Sequence, residues 1–491
     1  MPTSKNNQTI EKFLLGLLAL IFSIKVLEAL CMLPHGDPLY YHLVGPKLWL
    51  ETSFSQMHHE FIPFNQAGYF DYLYIIPVWI FGATLKAQLM GQLMHMIFSL
   101  GAGCLLIKTI FDSEIGEKKW TYLTCIALLT INKSSDFFLY AKNDGVVAFL
   151  ILLTAITIWH PTFLARVTGL KRSALIGLFM GLAVGVKLSA AFFAAPLFLF
   201  MTISSKKIRE ILVCGFIAFL SFLPIMIRNW TSIKSPLFPA LLDQFPGVLT
   251  PAILTYYKAH MAKPLTMELL PKHMSSFFLG KLILAFTPVI FFLNFKSKKI
   301  SPYIYLAPLL GLLLYLFKNG GVLYERFYFP AYFLMLFYLY YGLATLKIPK
   351  LAFILVLGLT LADSKIDKSI SRIKKTYRMY ASSKSDREIV NKVSKLTLFW
   401  NYVKEGDYIL SDRSSQFFYA PKGARLEQYA ANVNAEFIGK CTQAQVSKLS
   451  KYQFAILADP VKNPCYNEIR TNWKYHLEVE SYRLYENTQR L

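Results

Sequence analysis

A lone acidic turn directly follows the first hydrophobic segment of the chain. Residues 35–42 read His-Gly-Asp-Pro-Leu-Tyr-Tyr-His and contain Asp37. Asp followed by Pro is typical of a helix start, because the carboxylate caps the first amides and Pro has no amide hydrogen to leave unpaired. A carboxylate at the water–lipid boundary could also be a general base that takes a proton from an acceptor hydroxyl or amine. We predict this role for Asp37, with Tyr41 and His42 as substrate contacts.

Basic residues recur at the ends of other apolar runs. Lys187 interrupts a run that is otherwise free of charge, Lys142 and Asp144 open a second run, and Arg326 precedes a third. Each has a plain alternative: a lysine can anchor a helix end, and Asp144 can cap one. Lys and Arg also bind phosphate, Arg in a bidentate manner. We predict that Lys187, Arg326 and Lys142 bind a lipid phosphate. Further polar contacts are assigned to Asp144, Arg228 and Asn229.

The sequence shows no strong metal or nucleotide motif. His58, His59 and Glu60 are adjacent, and adjacent side chains point apart in regular structure, so we interpret them as a solvated loop. Walker, GxGxxG, GxSxG and HExxH patterns are absent from the sequence. We therefore predict no metal ligands and no engine driven by a cytoplasmic nucleotide.

Composition places these residues in a membrane protein. The 491 residues are 55% hydrophobic and 16% charged, well below the share of about 25% typical of soluble domains. Much of the net charge of +23 lies in short loops, where it orients the chain and meets anionic lipid. Nucleic acid is therefore a poor candidate partner.

Apolar runs predict about eleven transmembrane helices. Basic loops alternate between the runs, so the rule that positive loops stay inside places the N-terminus inside and the tail outside. This parity requires that residues 69–85, with Asp71 and Pro77, do not cross fully. The basic stretch 364–395 favours the opposite side for the tail, although we prefer an external tail. The predicted spans are 13–33, 88–110, 120–135, 144–160, 173–187, 188–203, 211–228, 281–296, 301–318, 326–345 and 350–362.

We predict two domains along the chain. Residues 1–362 form the transmembrane domain, with external loops at 34–87 and 229–280. Residues 363–491 alternate short apolar and polar runs, which favours a small external α/β domain. Cys441 and Cys465 lie in this tail and could pair in an oxidising compartment.

Five stretches in this order resemble the GT-C superfamily of membrane glycosyltransferases that use polyprenyl-phosphate sugars. The nearest group is similar to the bacterial branch related to protein O-mannosyltransferases and the lipid A aminoarabinose transferase. The resemblance covers about residues 13–345, and the tail is similar only loosely. The stretches are GDPLYYHLVGPKLWLE, AKNDGVVAFLILL, GLFMGLAVGVKLSA, RNWTSIKSPLFP and YERFYFPAYFLML.

The resemblance implies a function and a mechanism. Asp37 corresponds to the acidic residue of the first external loop, the catalytic base, and Lys187 and Arg326 to the phosphate contacts. The donor would be a sugar on polyprenyl phosphate, transferred with inversion to a lipid, glycan or protein of the envelope at the outer face of a bacterial inner membrane. Many relatives carry paired acids in the first loop, whereas here Pro38 follows Asp37, with Glu60 or Asp71 as candidate second acids. No cofactor is certain, and a divalent metal stays open because relatives differ in metal dependence.

Three other classes remain alternatives. One is a polymerase, ligase or flippase-like protein of envelope glycan assembly, which would share the lipid-phosphate site. A membrane transporter would place charges at the bilayer midplane and show repeated halves, and no clear repeat is seen. A non-catalytic glycolipid-binding protein of envelope glycan assembly would share the lipid-phosphate site but lack turnover.

Overall fold

A computed structural model provides the structure of the protein over most of its length. It describes residues 5–32, 39, 42–60, 62–131, 139–160, 162–205, 207–249, 254, 265–278, 281–297, 301–321, 325–362, 364, 366–411, 417–428, 443, 449–458, 465–480 and 482–488.

The predicted spans all overlap helices. Long apolar sequences with few charges favour this outcome, because only internal hydrogen bonds satisfy the backbone in lipid. These helices are Lys5–Ala29, Leu85–Glu114, Lys118–Leu129, Asp144–Trp159, Gly169–Val186, Leu188–Ser205, Ile208–Ile233, Leu282–Lys296, Tyr303–Asn319, Arg326–Thr345 and Lys350–Ala362.

Length and composition support part of the predicted span count. Within the described ranges, five helices are long and apolar enough to cross a membrane. A sixth results if Leu270–Phe278 and Leu282–Lys296, bent by 108°, form one broken span. The multi-pass helical class is therefore confirmed, and the count of eleven stays a prediction. Tyr69–Phe81 is a shorter apolar helical segment, and its partial insertion also stays a prediction.

Small residues let two of the membrane helices approach closely. Gly177 and Gly181 lie on one face of Gly169–Val186, four residues apart. A β-carbon at either position would collide with the backbone carbonyl oxygen of Cys214 or Ala218 in the helix Ile208–Ile233. This is the small-xxx-small packing by which membrane helices bring their backbones together.

The chain divides into two compact units. The first comprises 1–31, 92–225 and 262–375, and the second comprises 32–91, 226–261 and 376–491. The first unit contains most of the membrane helices. The second unit combines the first external loop with the C-terminal tail. The predicted chain boundary between residues 362 and 363 stays a prediction.

The tail in the second unit contains a mixed five-stranded sheet, which confirms the small α/β domain. Taken in chain order as β1–β5, the strands lie side by side as β2-β1-β3-β5-β4. β1 pairs in parallel with β2 and β3, and β5 pairs antiparallel with β3 and β4. Helix Tyr466–Asn472 packs over a core that includes Tyr452, Ile469 and Trp473. The strands are Tyr408–Ser411, Arg425–Gln428, Phe454–Ala458, Lys474–Val479 and Tyr482–Glu486.

The first external loop, also in the second unit, is helical. Gly68 and Gly82 lie at two of the breaks that bound its short helices, where Gly weakens helix continuation. Val44–Glu51 contacts the three other α-helices of this loop. Those helices are Phe54–Glu60, Tyr69–Leu73 and Ile75–Phe81.

Candidate functional site

The first unit brings together three of the predicted site residues at helix ends. Asp144 begins the helix Asp144–Trp159. Lys187 stands in extended backbone between the helix that ends at Val186 and a short turn at 188–190. Arg326 lies in the single turn Glu325–Tyr328 that leads into Phe329–Thr345.

Lys187 and Asp144 form an ion pair. The Lys187 ammonium donates a hydrogen bond to Asp144 Oδ1, across 43 positions of sequence. The Asp144 side chain is 3% exposed and that of Lys187 is 16% exposed. Among the described residues, Asp144 Oδ2 has no hydrogen-bond partner. The lysine is thus held by Asp144 Oδ1.

A pocket opens beside this pair. The space around its lining atoms amounts to about 260 Å³, and this figure includes open solvent. Both basic groups lie over the Phe327 ring: Lys187 Nζ is 4.8 Å and Arg326 Cζ 5.3 Å from its centre. The pocket is therefore cationic and carboxylate-bearing on one side and apolar on the other. It is lined by Asp144, Val147, Lys187, Ser189, Phe193, Tyr315, Arg326, Phe327 and Pro330.

Positive charge exceeds negative charge around Asp144. Lys187, Arg326 and Lys142 all stabilise its carboxylate by charge attraction. Lys142 is fully buried, with its ammonium 5.6 Å from the centre of the Tyr140 ring. Among the described side chains that act on Asp144, these three cations outnumber the one carboxylate. The amino end of Asp144–Trp159 adds the partial positive charge of the helix dipole. Such an arrangement favours binding of an anion such as phosphate.

Polar contacts hold the opening turn of this helix in place. The Gly145 amide donates to His95 Nε2 at 3.1 Å. Asn143 Nδ2 donates to the carbonyl oxygen of Val186, directly before Lys187, at 3.1 Å. The Asn143 bond therefore sets Asp144 opposite Lys187.

His273 restrains the turn that contains Arg326. His273 Nε2 donates to the Gly320 carbonyl oxygen at 2.6 Å, and its Nδ1 hydrogen-bonds the Tyr328 hydroxyl. Tyr328 lies two residues after Arg326, so these contacts limit the movement of the guanidinium.

His42, in the second unit, pairs with an aspartate. His42 Nδ1 lies 2.5 Å from Asp71 Oδ1, and both side chains are at most 1% exposed. The other carboxylate oxygen accepts a bond from the Gly68 amide at 2.6 Å. Asp71 therefore fixes the orientation of the His42 ring. A direct substrate contact for His42 stays a prediction.

Arg228 and Asn229 form a buried polar cluster in the second unit. Arg228 Nη1 and Nη2 donate to the carbonyl oxygens of Ala67 and Asn65, both at 2.7 Å. Its Nε donates to Asn229 Oδ1 at 2.9 Å. These bonds anchor the first external loop, and they favour a structural role over the predicted substrate contact.

Other predictions concern residues outside the described ranges. Asp37 and Tyr41 both lie there, and so does Cys441. Cys465 is disulfide-bonded. Within the described ranges, His58 pairs with Asn65, and no three His, Cys, Asp or Glu side chains cluster as metal ligands. Metal dependence stays open.

Several pocket residues gave no signal in the sequence. Phe193, Tyr315 and Phe327 look like ordinary membrane aromatics, and Ser189 like a helix-end serine. His95 is one isolated histidine in an apolar run. Only the tertiary contacts distinguish these residues from their many neighbours of the same type.

The fold defines a class of protein: a polytopic helical membrane protein with a small C-terminal sheet. No protein-family model and no curated protein sequence matches the chain. The comparison with known proteins therefore rests on the fold.

Two solved structures of ArnT from Cupriavidus metallidurans share this fold. One was solved bound to undecaprenyl phosphate, with a TM-score of 0.60 at 11% sequence identity, covering 97% of each chain. The other is the apo state, with the same TM-score and identity, covering 96% of this chain and 98% of that one. The likeness confirms the GT-C resemblance at the level of the fold.

Proposed function

We propose that the protein is a glycosyltransferase that moves a sugar from polyprenyl phosphate to an acceptor of the cell envelope. The observation that carries the proposal is the pocket where Lys187 and Arg326 meet Asp144 in a chain with the ArnT fold. The neighbouring structure bound to undecaprenyl phosphate supports a polyprenyl-phosphate donor.

The pocket suits the charge that develops during such a transfer. A polyprenyl-phosphate sugar is a phosphodiester with one negative charge. When its bond from the anomeric carbon to oxygen breaks, the oxygen keeps the electron pair and the phosphate gains a second charge. Lys187 and Arg326 would stabilise this leaving group more strongly than the donor, and this difference lowers the barrier. Phe193, Phe327 and Tyr315 supply apolar side chains to the lining of the pocket.

Asp37 is the proposed base. It would take the proton from the acceptor hydroxyl or amine as the acceptor attacks the anomeric carbon opposite the leaving phosphate, which inverts that centre. Asp144, paired to Lys187, would instead hold the lysine in position. Because the donor bond is already activated, the reaction needs no ATP.

Purified protein in nanodiscs tests the proposal. It is offered a panel of polyprenyl-phosphate sugars with an extract of its own envelope, and free polyprenyl phosphate is measured. We expect release by the wild type and its loss in Asp37→Asn. Arg326→Gln should lower the rate by about 10-fold or more, the usual effect of losing a hydrogen bond to a charged group. Arg326→Lys should retain part of the activity.

Controls separate this function from its rivals. Lys171→Gln removes an exposed cation from the first turn of Gly169–Val186 and should leave the rate unchanged. Binding of polyprenyl phosphate without release from any donor would favour the non-catalytic glycolipid-binding alternative. Absence of both binding and release in folded wild type would favour transport.

The disulfide at Cys465 supports an external tail, because disulfides persist in oxidising compartments. We propose that the protein lies in the inner membrane with its site facing outward. A cysteine introduced at the exposed Lys404 should react with a membrane-impermeant thiol reagent in intact spheroplasts. Labelling only after permeabilisation would place the tail inside.

A further inference from the structure

The helix Val44–Glu51 buries a lysine. The Lys47 side chain is 2% exposed, and the neighbouring positions Val44, Gly45 and Pro46 are buried as well. Burying an ammonium group is unfavourable unless protein groups replace the water it loses. The partners of Lys47 therefore indicate what this helix is built to hold.

Besides Glu51 of the same helix, whose Oε1 lies 4.0 Å from Lys47 Nζ, those partners come from the C-terminal tail. Lys47 Nζ donates to the carbonyl oxygen of Ala420 at 2.9 Å and of Phe417 at 3.4 Å. It also lies 4.7 Å from the centre of the Phe417 ring. One turn later, Glu51 accepts a hydrogen bond from the Gly423 amide at 3.1 Å. One helix face thus holds both ends of a seven-residue tail segment, 417–423.

Further contacts hold the same segment within the second unit. The buried Tyr419 hydroxyl bonds to Gln88 Oε1 in the helix that follows the first external loop. The ring of Trp400 lies 6.0 Å from that of Phe417. Gly423 has φ +70°, a conformation that glycine adopts without strain, and this turns its amide toward Glu51.

The helix that holds the tail is also the centre of the first external loop. It contacts the helices Phe54–Glu60, Tyr69–Leu73 and Ile75–Phe81. It begins seven residues after Asp37 in the sequence. A displacement of this helix would therefore displace the other helices of the loop as well.

We propose that Lys47 and Glu51 form a latch through which the C-terminal tail positions the first external loop for the transfer reaction. An apolar contact would hold two surfaces together at lower cost, whereas directional donors fix a helix against chosen carbonyl groups. Lys47 is thus a positioning residue and does not touch the donor. The effect on turnover rests on the proposed function, but the latch itself does not.

Hydrogen exchange of the full-length protein in nanodiscs tests the latch. Lys47→Met should raise exchange at the amides of 417–423 and of the loop helices at 44–81 by about 10-fold, as expected when a local contact worth one charged hydrogen bond is lost. Lys47→Arg should restore protection in part. Lys404→Met, at an exposed tail lysine, is the matched control and should change neither region.

Kinetics test the positioning role. Lys47→Met should lower kcat while the KM for the donor stays within about 2-fold, because the donor phosphate contacts are untouched. Glu51→Gln is a milder second variant if Lys47→Met does not fold. Wild-type exchange at 44–81 in Lys47→Met would overturn the proposal, and so would raised exchange with unchanged kcat. If the wild type transfers no sugar, the proposed function fails, and exchange at 44–81 alone decides whether the tail positions the loop.

Discussion

Replacement of Lys187 by Met is expected to lower both stability and sugar transfer, and a second substitution separates the two effects. Lys187 pairs with the 3% exposed Asp144 carboxylate. Breaking a buried ion pair from one side typically costs about 3–5 kcal/mol. Arg326 and Lys142 still attract the remaining carboxylate, so we expect the lower end of that range.

The activity loss has a different origin. A charged hydrogen bond to a phosphate oxygen contributes about 1.5–3 kcal/mol, which corresponds to a loss of about 10-fold to 150-fold in kcat/KM. The variant Lys187→Met/Asp144→Asn removes the unpaired carboxylate and should regain most of the stability. It should stay impaired in transfer, because the phosphate still lacks its lysine. Asp144→Asn alone keeps the lysine, so it should lose less activity than Lys187→Met or the double variant.

Two assays read these outcomes. Thermal unfolding is followed with a thiol-reactive dye, because the free cysteines Cys31, Cys125 and Cys214 are buried in the folded state. Transfer is followed by release of polyprenyl phosphate. The reasoning is refuted if the double variant matches Asp144→Asn in transfer, since Lys187 would then serve only to neutralise Asp144.

Three further predictions concern other parts of the molecule. Asp71→Asn should lower the free energy of unfolding by about 1–3 kcal/mol, because it weakens the charged contact with His42; an unchanged denaturant midpoint would contradict this. Gly181→Val should prevent close packing of two membrane helices and abolish monodisperse protein in size-exclusion chromatography, whereas Gly16→Val, with no atom near the added carbon, should not. Burial lowers the pKa of Lys47 to about 8 from 10.5. Between these values the unfolded chain binds a proton that the folded protein has released, so stability should rise with pH by on the order of 3 kcal/mol. Thermal unfolding from pH 7.5 to 9.5 should show this rise in stability in the wild type. If Lys47→Met shows the same rise, another titrating group causes it.

The helical elements were predictable because membrane insertion leaves few choices. Apolar runs of sufficient length form helices in lipid, and this requirement acts on local sequence alone. The helix start at Asp144 follows from its polar side chain at the edge of an apolar run. Lys187 and Arg326 stood out for the same reason, as charges in places where charge is costly.

The pairing of these residues was not predictable in the same way. Lys187 and Asp144 lie 43 positions apart, and several other basic residues occupy equivalent helix ends. Arg228, like Lys187, is a basic residue at the end of an apolar run. Its guanidinium, however, donates hydrogen bonds to the carbonyl oxygens of Ala67 and Asn65. A helix-end cation has the same sequence pattern whether it faces a pocket or a loop.

The sequence by itself determined a helical membrane protein with a tail of alternating apolar and polar runs. Hydropathy and periodicity are local properties of the chain, and they decide which segments leave water. Only the tertiary structure decided that Lys187, Arg326 and Asp144 share one pocket and that Lys47 holds the tail. Such contacts depend on how distant helices and strands pack, and packing fixes the distances on which charge and hydrogen bonding act.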